Sequence, residues 1–297
     1  MEHKRPGDSN HITRAYFDSL LLEFRQFGAG VPNTALTLFG EEFSTPVMMA
    51  ALSHLDKCRE NGMVEMAKGA QAAGAVMWAG MGDDAELAAV CRTGAKTVKI
   101  IKPYADNDLI FRKIEHAKQC GVLAVGMDID HAFNKAGQPD TVLGFSMSPK
   151  SAAEIRAFID AADDVPFVIK GVLSVRDAVL CAEAGAGGIV VSHHHGILDY
   201  AVPPLLVLPD IAKALAGSGV AIFVDCGVES GIDVMKALAL GATAVSVGRA
   251  VMEPLKAAGA AGVKEMVTRM TDELRGAMAR TASSDLAHID PTVIWKR

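Results

Sequence analysis

The sequence predicts an α/β protein built as a (β/α)8, or TIM, barrel, and three observations carry that prediction. A unit of short apolar strand, loop, amphipathic helix and Gly/Ala joint recurs eight times between Pro46 and residue 279. The joints resemble one another closely, as Ala72-Ala-Gly-Ala75, Glu183-Ala-Gly-Ala186 and Ala239-Leu-Gly-Ala242. Glycine there supplies a left-handed helix cap, and its small neighbours let helix and strand pack closely. Finally, no GxGxxG follows the first strand, which disfavours an open doubly wound sheet.

Taken in order, residues 1–11 are polar, contain Pro6 and Gly7, and are expected to be disordered. Residues 12–27 are expected to form a short helix. Thr34–Leu38 and Glu42–Ser44 flank Phe39-Gly40-Glu41 as a small hairpin that would plug the bottom of a barrel. Residues 1–45 thus form an N-terminal segment, 46–279 the barrel, and 280–297 a tail against its outside. The strands are expected at about 46–51, 75–79, 96–101, 122–127, 166–170, 188–192, 220–225 and 244–248. Their helices fall near 62–73, 84–92, 107–119, 150–161, 174–184, 205–216, 230–240 and 257–279, with N-caps such as Ser151-Ala-Ala-Glu154 and Ser174-Val-Arg-Asp177. One long interruption, Asp130–Ser148, follows strand four and reads as a lid or active-site loop.

Composition narrows the function. Half of the 297 residues are hydrophobic, aromatics are few, and the net charge is −6, which argues against nucleic acid and anionic membranes as partners. Five scattered cysteines without a CxxC pair fit reduced thiols, and the N-terminus has no apolar signal region. The reading is a cytoplasmic protein that acts on a small molecule.

The chemistry concentrates in Gly187-Gly-Ile-Val-Val-Ser-His-His-His-Gly-Ile-Leu-Asp-Tyr200. Ile189–Val191 reads as a strand buried on both faces, and it ends in Ser192, His193, His194 and His195. Three consecutive side chains diverge and cannot share one metal, and no Cys or His stands nearby at ligand spacing, so no metal site is expected. The other strand ends contribute Ala50 and Ala51, Gly80, Lys99 and Lys102, Asp128 and Asp130, Lys170, Asp225, and Gly248-Arg249. The last two strands carry the standard phosphate pocket of such barrels, where the amides of Gly227 and Gly248 and the Arg249 fork would receive an anion. Lys170, closing Val168-Ile-Lys, is either paired with an anionic group or shifted in pKa for covalent work.

Several of these pieces together resemble a known family. Pro46-Val-Met-Met-Ala-Ala51, Ile169-Lys-Gly-Val-Leu173, Gly188-Ile-Val-Val-Ser-His-His194, Asp225-Cys-Gly-Val228, Asp233–Ala242 and Val247-Gly-Arg249 are similar to the FMN-dependent α-hydroxy-acid oxidases and dehydrogenases. The resemblance spans about residues 34–289. It implies FMN at the strand C-termini, with contacts from Ala50, Ala51, Gly80, Lys99, Ser192, Asp225, Gly227, Gly248 and Arg249. It further implies Lys170 near the flavin N1 edge, His194 as the base that takes the substrate proton, and Asp128 as the group orienting it. His193 stands where the family has Asn, and His193 and His195 are expected beside the substrate. An alternative register makes His195 the base. The resemblance also implies a homo-oligomer, a tetramer in many members.

Departures from the family pattern are specific. The usual Ser-Asn-His-Gly-(Gly/Ala)-Arg-Gln-Leu-Asp is shortened by one residue here and has lost the arginine that clamps a substrate carboxylate. A second substrate arginine, expected after strand four, is missing from Ile129–Gly144. Ile101 takes the strand-three tyrosine position, Lys99 the flavin-contacting Gln, and Glu229 a phosphate-binding Arg. The segment that carries another substrate tyrosine is expected to lie before the start of this sequence. An FMN oxidoreductase with altered specificity is therefore the leading expectation. The alternatives are a Schiff-base lyase or aldolase using Lys99 or Lys170, and a non-catalytic barrel that binds a phosphorylated ligand.

Overall fold

A computed structural model describes residues 5–296. Eight parallel strands form one sheet: β1 Val47–Met49, β2 Met77–Ala79, β3 Thr97–Ile101, β4 Ala124–Asp128, β5 Phe167–Val172, β6 Gly188–Val191, β7 Ala221–Val224 and β8 Ala244–Val247. Each pairs with its sequence neighbour, β8 pairs back onto β1, and a parallel bridge between Leu52 and Ala79 closes the ring. The helices between them are α1 Gly62–Ala72, α2 Asp84–Cys91, α3 Asn107–Gln119, α4 Ala152–Ala162, α5 Val175–Ala184, α6 Pro204–Ala214, α7 Gly231–Ala239 and α8 Met252–Arg280. Gly74, Gly185 and Gly241, the joint glycines, all have positive φ. Ser151 and Glu154 form the full capping box at α4. Gly259 (φ 59°, ψ −135°) breaks α8 into two helical pieces, so helix begins earlier than the sequence suggested.

Strand alternation divides the core in two. Met48, Val76, Trp78, Val98, Ile100, Val168, Val190 and Phe223 fill the barrel interior, while Met49, Met77, Met127, Ile169, Val191 and Val245 pack outward beneath the helices. The hairpin of Leu36–Leu38 and Glu41–Phe43 covers the bottom, with Leu36, Leu38 and Phe43 buried in the interior cluster. Trp78 meets Phe223 edge-on at 5.3 Å, and Phe39 of the hairpin meets the same ring at 6.3 Å.

The N-terminal segment differs from its expected form. The helix spans Ser9–Ser19, with Asp8 accepting from Asn10 N as its cap, and Arg5 holds Asp199 in a bidentate pair. Residues 5–11 are therefore tied down, and residues 1–4 of the expected disordered stretch lie outside the described residues. Leu20–Leu22 cannot continue the helix because it pairs antiparallel with Ile294–Lys296 of the tail, burying Leu20 and exposing Leu21. No helix among the described residues is long and apolar enough to cross a membrane.

Alternation also relocates Lys99. Val98 and Ile100 face the interior, so Lys99 points outward, buried beneath the loop after β2, where its Nζ donates to Gly80 O at 2.5 Å. It is not a flavin contact at the barrel mouth. Ile101 is likewise outward, so the interior positions at this strand end are Ile100 and Lys102.

Two outcomes follow from this packing. Trp78 is fully buried, yet its Nε1 has no partner. Trp78→Ala should cost about 3–5 kcal/mol in denaturant unfolding, whereas Trp78→Phe, which removes the orphan donor, should cost about 1 kcal/mol or less. Burial, reinforced by Lys113, lowers the Lys99 pKa to about 8. The unfolded chain then binds the extra proton above that value, so stability rises with pH through the window from about 8 toward the ordinary lysine value near 10.5. Wild type should gain on Lys99→Met by roughly 1.4 kcal/mol per pH unit across that window. A pH-independent difference would show that Lys99 is not buried as a strained cation.

Candidate active site

The mouth is built from inward-facing residues at the strand ends. Parallel register sets Asp128 of β4 beside Lys170 of β5. Lys102, one residue past β3, donates to Asp128 Oδ2 at 2.7 Å, and Lys170 Nζ lies 3.1 Å from Oδ1 and 3.6 Å from Asp225 Oδ2. Burial alone would raise the Asp128 pKa, but Lys170 and Lys102 hold it well below the usual carboxylate range. Burial likewise opposes the charge on Lys170, and Asp128 with Asp225 overcomes it, holding the ammonium above its usual range.

The turn after β6 separates the three histidines. Ser192 Oγ accepts from His194 N at 3.0 Å, and His194, His195 and Gly196 all have positive φ. Two successive non-glycine residues in that region cost free energy, a cost borne here by the contacts each ring makes. His193 is buried and turned toward the N-terminal helix. Gly196 N donates to its Nδ1 at 2.9 Å, so its Nε2–H donates to Thr13 Oγ1 at 2.8 Å. Burial lowers its pKa, in keeping with a neutral ring. His193 is thus a loop anchor and does not face the substrate space.

His194 faces the mouth. Its Nδ1 lies 2.8 Å from Asp130 Oδ1 and 3.7 Å from Asp128 Oδ1. Asp130 therefore orients the ring, in place of the expected Asp128, which the two lysines occupy. A carboxylate only accepts, so Nδ1 carries the proton and Nε2 presents a lone pair. His131, from the start of the loop over residues 130–148, packs edge-on against the His194 ring at 4.4 Å. Burial and then Lys102 lower the His131 pKa. Ligand atoms of Asp128, Asp130 and His194 lie within 4.8 Å of one another, but the ammonium groups on Asp128 make this an ion-pair network rather than a cation cradle.

Beside this network opens a cavity of about 660 Å³. Of the expected cofactor residues, Ala50, Ala51, Lys170, Asp225, Gly227, Gly248 and Arg249 line it, as do His194 and His195. Ser192 lies just beneath, bonded to the Cys226 thiol, and Gly80 lies behind Ala51, whose carbonyl would meet a Cβ added there at 2.6 Å. Cys226, at φ 66°, donates to Asp225 Oδ1, and burial pushes its thiol up to about 12. The far end is governed by the N-terminal helix. Arg14 donates to Gly227 O and grips Asp233, while Asn10 Oδ1 accepts from Arg249 at 3.2 Å and from His195 Nδ1 at 2.9 Å. Gly227 has φ 80°, and an added Cβ would meet Thr13 at 3.0 Å. Glu229 lines the same end and opposes an anion there.

The volume lies within the roughly 300–1,000 Å³ of small-ligand sites. A strand-end cation, glycine backbone and an arginine fork suit a flavin mononucleotide. Asp130 and Lys102 were legible at strand ends but not in role. Asn10, Thr13, Arg14 and His131 were missed, because only the folded chain brings residues 10–14 to the mouth.

Comparison with known proteins places the chain in a family. The family model for FMN-dependent dehydrogenase matches residues 7–164 and 151–296. The 4-hydroxymandelate oxidase of Amycolatopsis orientalis is 50% identical over 121 residues, covering 40% of this chain and 34% of that protein. Glycolate oxidase 3 of Arabidopsis thaliana is 28% identical over 88% of this chain and 80% of its own length. A mandelate oxidase variant holding a monooxide FMN adduct superposes with a TM-score of 0.88 and 28% identity over 98% of this chain and 92% of that one. A family match over nearly the whole chain, on a closed barrel whose mouth suits a flavin, makes this protein a member of the FMN-dependent α-hydroxy-acid oxidase and dehydrogenase family, an oxidoreductase with FMN as its cofactor.

Proposed function

We propose that the protein oxidises an alcohol carbon lying next to an activating group, with His194 as the base, and that simple 2-hydroxy acids are poor donors. The observation that carries this reading is His194 itself, its Nδ1 fixed on Asp130 and its other nitrogen free at the cavity. FMN, bound by the residues around Lys170, Gly227 and Gly248, would accept a hydride from the substrate carbon. His194 Nε2 takes the hydroxyl proton, Asp130 stabilises the imidazolium that results, and Lys170 sets a fixed positive charge beside the cavity. Substrate C–H and O–H bonds break as the C=O forms, so two electrons and two hydrogens are accounted for.

The lyase reading lacks its nucleophile. Lys170 is locked as a cation between Asp128 and Asp225, and Lys99 is buried outside the mouth. A non-catalytic barrel would leave the oriented His194 without a use.

Anaerobic mixing with alcohols flanked by a carbonyl or aryl group tests the reading. At least one should bleach the flavin, and His194→Asn should slow that step by roughly 10²–10⁴-fold while keeping the bound-flavin spectrum. If none reduces it, the donor assignment fails; rapid bleaching by lactate or glycolate would instead refute the consequence drawn from the missing arginines. Cofactor affinity provides a second check, read by titrating apoprotein with FMN. Arg249→Ala should weaken binding and Glu229→Gln should tighten it, because the first removes a phosphate donor and the second an opposing charge. Equal affinities for all three proteins would place the phosphate elsewhere.

A further inference from the structure

We infer that the substrate is an uncharged α-hydroxycarbonyl compound, such as a 2-hydroxy amide, rather than a 2-hydroxy carboxylate. This rests on His194 as the base and adds the charge class of what lies beside it. The groups around His194 form one connected network in which Asp128, Asp130 and Asp225, three carboxylates, face the two ammonium groups of Lys102 and Lys170. These five groups together leave one excess negative charge beside the cavity.

No cation there is free for a carboxylate. Lys102 is committed to Asp128, and Lys170 to Asp128 and Asp225. Arg249 lies at the far end, drawn toward Asn10, and Arg14 is held by Asp233. His131 is pushed toward its neutral form by burial. A substrate carboxylate would therefore join an already negative network after losing its own water.

A neutral carbonyl meets a different balance. Lys102 gives Asp128 one of its three N–H donors, and a neutral oxygen can share the others without adding charge to the network. These suit an oxygen acceptor without full charge. The carbonyl activates the adjacent C–H, whose electron pair leaves as hydride to the flavin while the hydroxyl proton goes to His194. The product is an α-dicarbonyl compound.

The test uses FMN-loaded protein and a matched set: mandelamide, mandelate, and the cationic 2-amino-1-phenylethanol, with lactamide as a smaller neutral member. Dissociation constants come from perturbation of the flavin absorbance, and reduction from anaerobic bleaching. Mandelamide should bind at least tenfold tighter than mandelate and bleach the flavin faster. Mandelate binding as tightly as its amide overturns the inference, as does tighter binding of the ammonium alcohol, or no perturbation by either amide at millimolar concentration. Tighter binding of the amide without bleaching leaves the charge class standing and refutes the donor chemistry proposed for His194. Asp130→Asn, read by binding alone, should narrow the gap between amide and acid, because it removes the excess charge. An unchanged gap would mean that shape sets the preference.

Discussion

The buried carboxylate of Asp128, gripped by Lys102 and Lys170, is the interaction on which the mouth depends. Removing one partner of such a pair leaves an unpaired buried charge and typically costs about 3–5 kcal/mol. Here three adjacent strands supply the partners, so the network also fixes how the ends of β3, β4 and β5 sit relative to one another. One consequence reaches the chemistry directly. With Asp128 paired to the two ammonium groups, the imidazole of His194 bonds to Asp130, two residues further along.

The N-terminal helix is the second constraint. It grips the turn after β6 through Asn10 and Thr13, and the turn after β7 through Arg14. That grip makes His193 a structural residue, since its ring accepts from Gly196 and donates to Thr13, bonds that only the neutral tautomer can make together. It also draws the Arg249 side chain toward Asn10, at the end of the cavity that Glu229 lines. That end is therefore set by a contact between residues 239 apart in the chain.

Much of the barrel was legible because its signals are local. The Gly/Ala joints, the capping box at Ser151 and the apolar runs mark each unit without reference to the rest, and eight such units close in only a few ways. Lys99 shows the limit within a strand. Thr97-Val-Lys-Ile-Ile-Lys102 is buried throughout, so composition does not say which face is inside. Only the pairing of Val98 and Ile100 with the interior cluster puts Lys102 at the mouth and Lys99 behind it. Asp130 shows another limit, since choosing it over Asp128 required knowing that two lysines pair with Asp128. At the N-terminus, helical periodicity through residues 12–27 could not reveal that Leu20–Leu22 pairs with the distant tail.

Scaffold and specificity separate cleanly on these grounds. The residues that would seat a flavin sit on rigid strand ends and glycine turns, where backbone geometry permits little change. The residues that would recognise a substrate come from β3, from the loop after β4 and from the turn after β6. Without the arginine clamp, the proposed base keeps a carboxylate partner, now Asp130, and Lys170 keeps its place between Asp128 and Asp225. The loss of the clamp changes only the net charge that the donor meets. A shared fold and cofactor can in this way accompany a different substrate class, because orienting a proton acceptor and binding a carboxylate draw on different atoms of the same mouth.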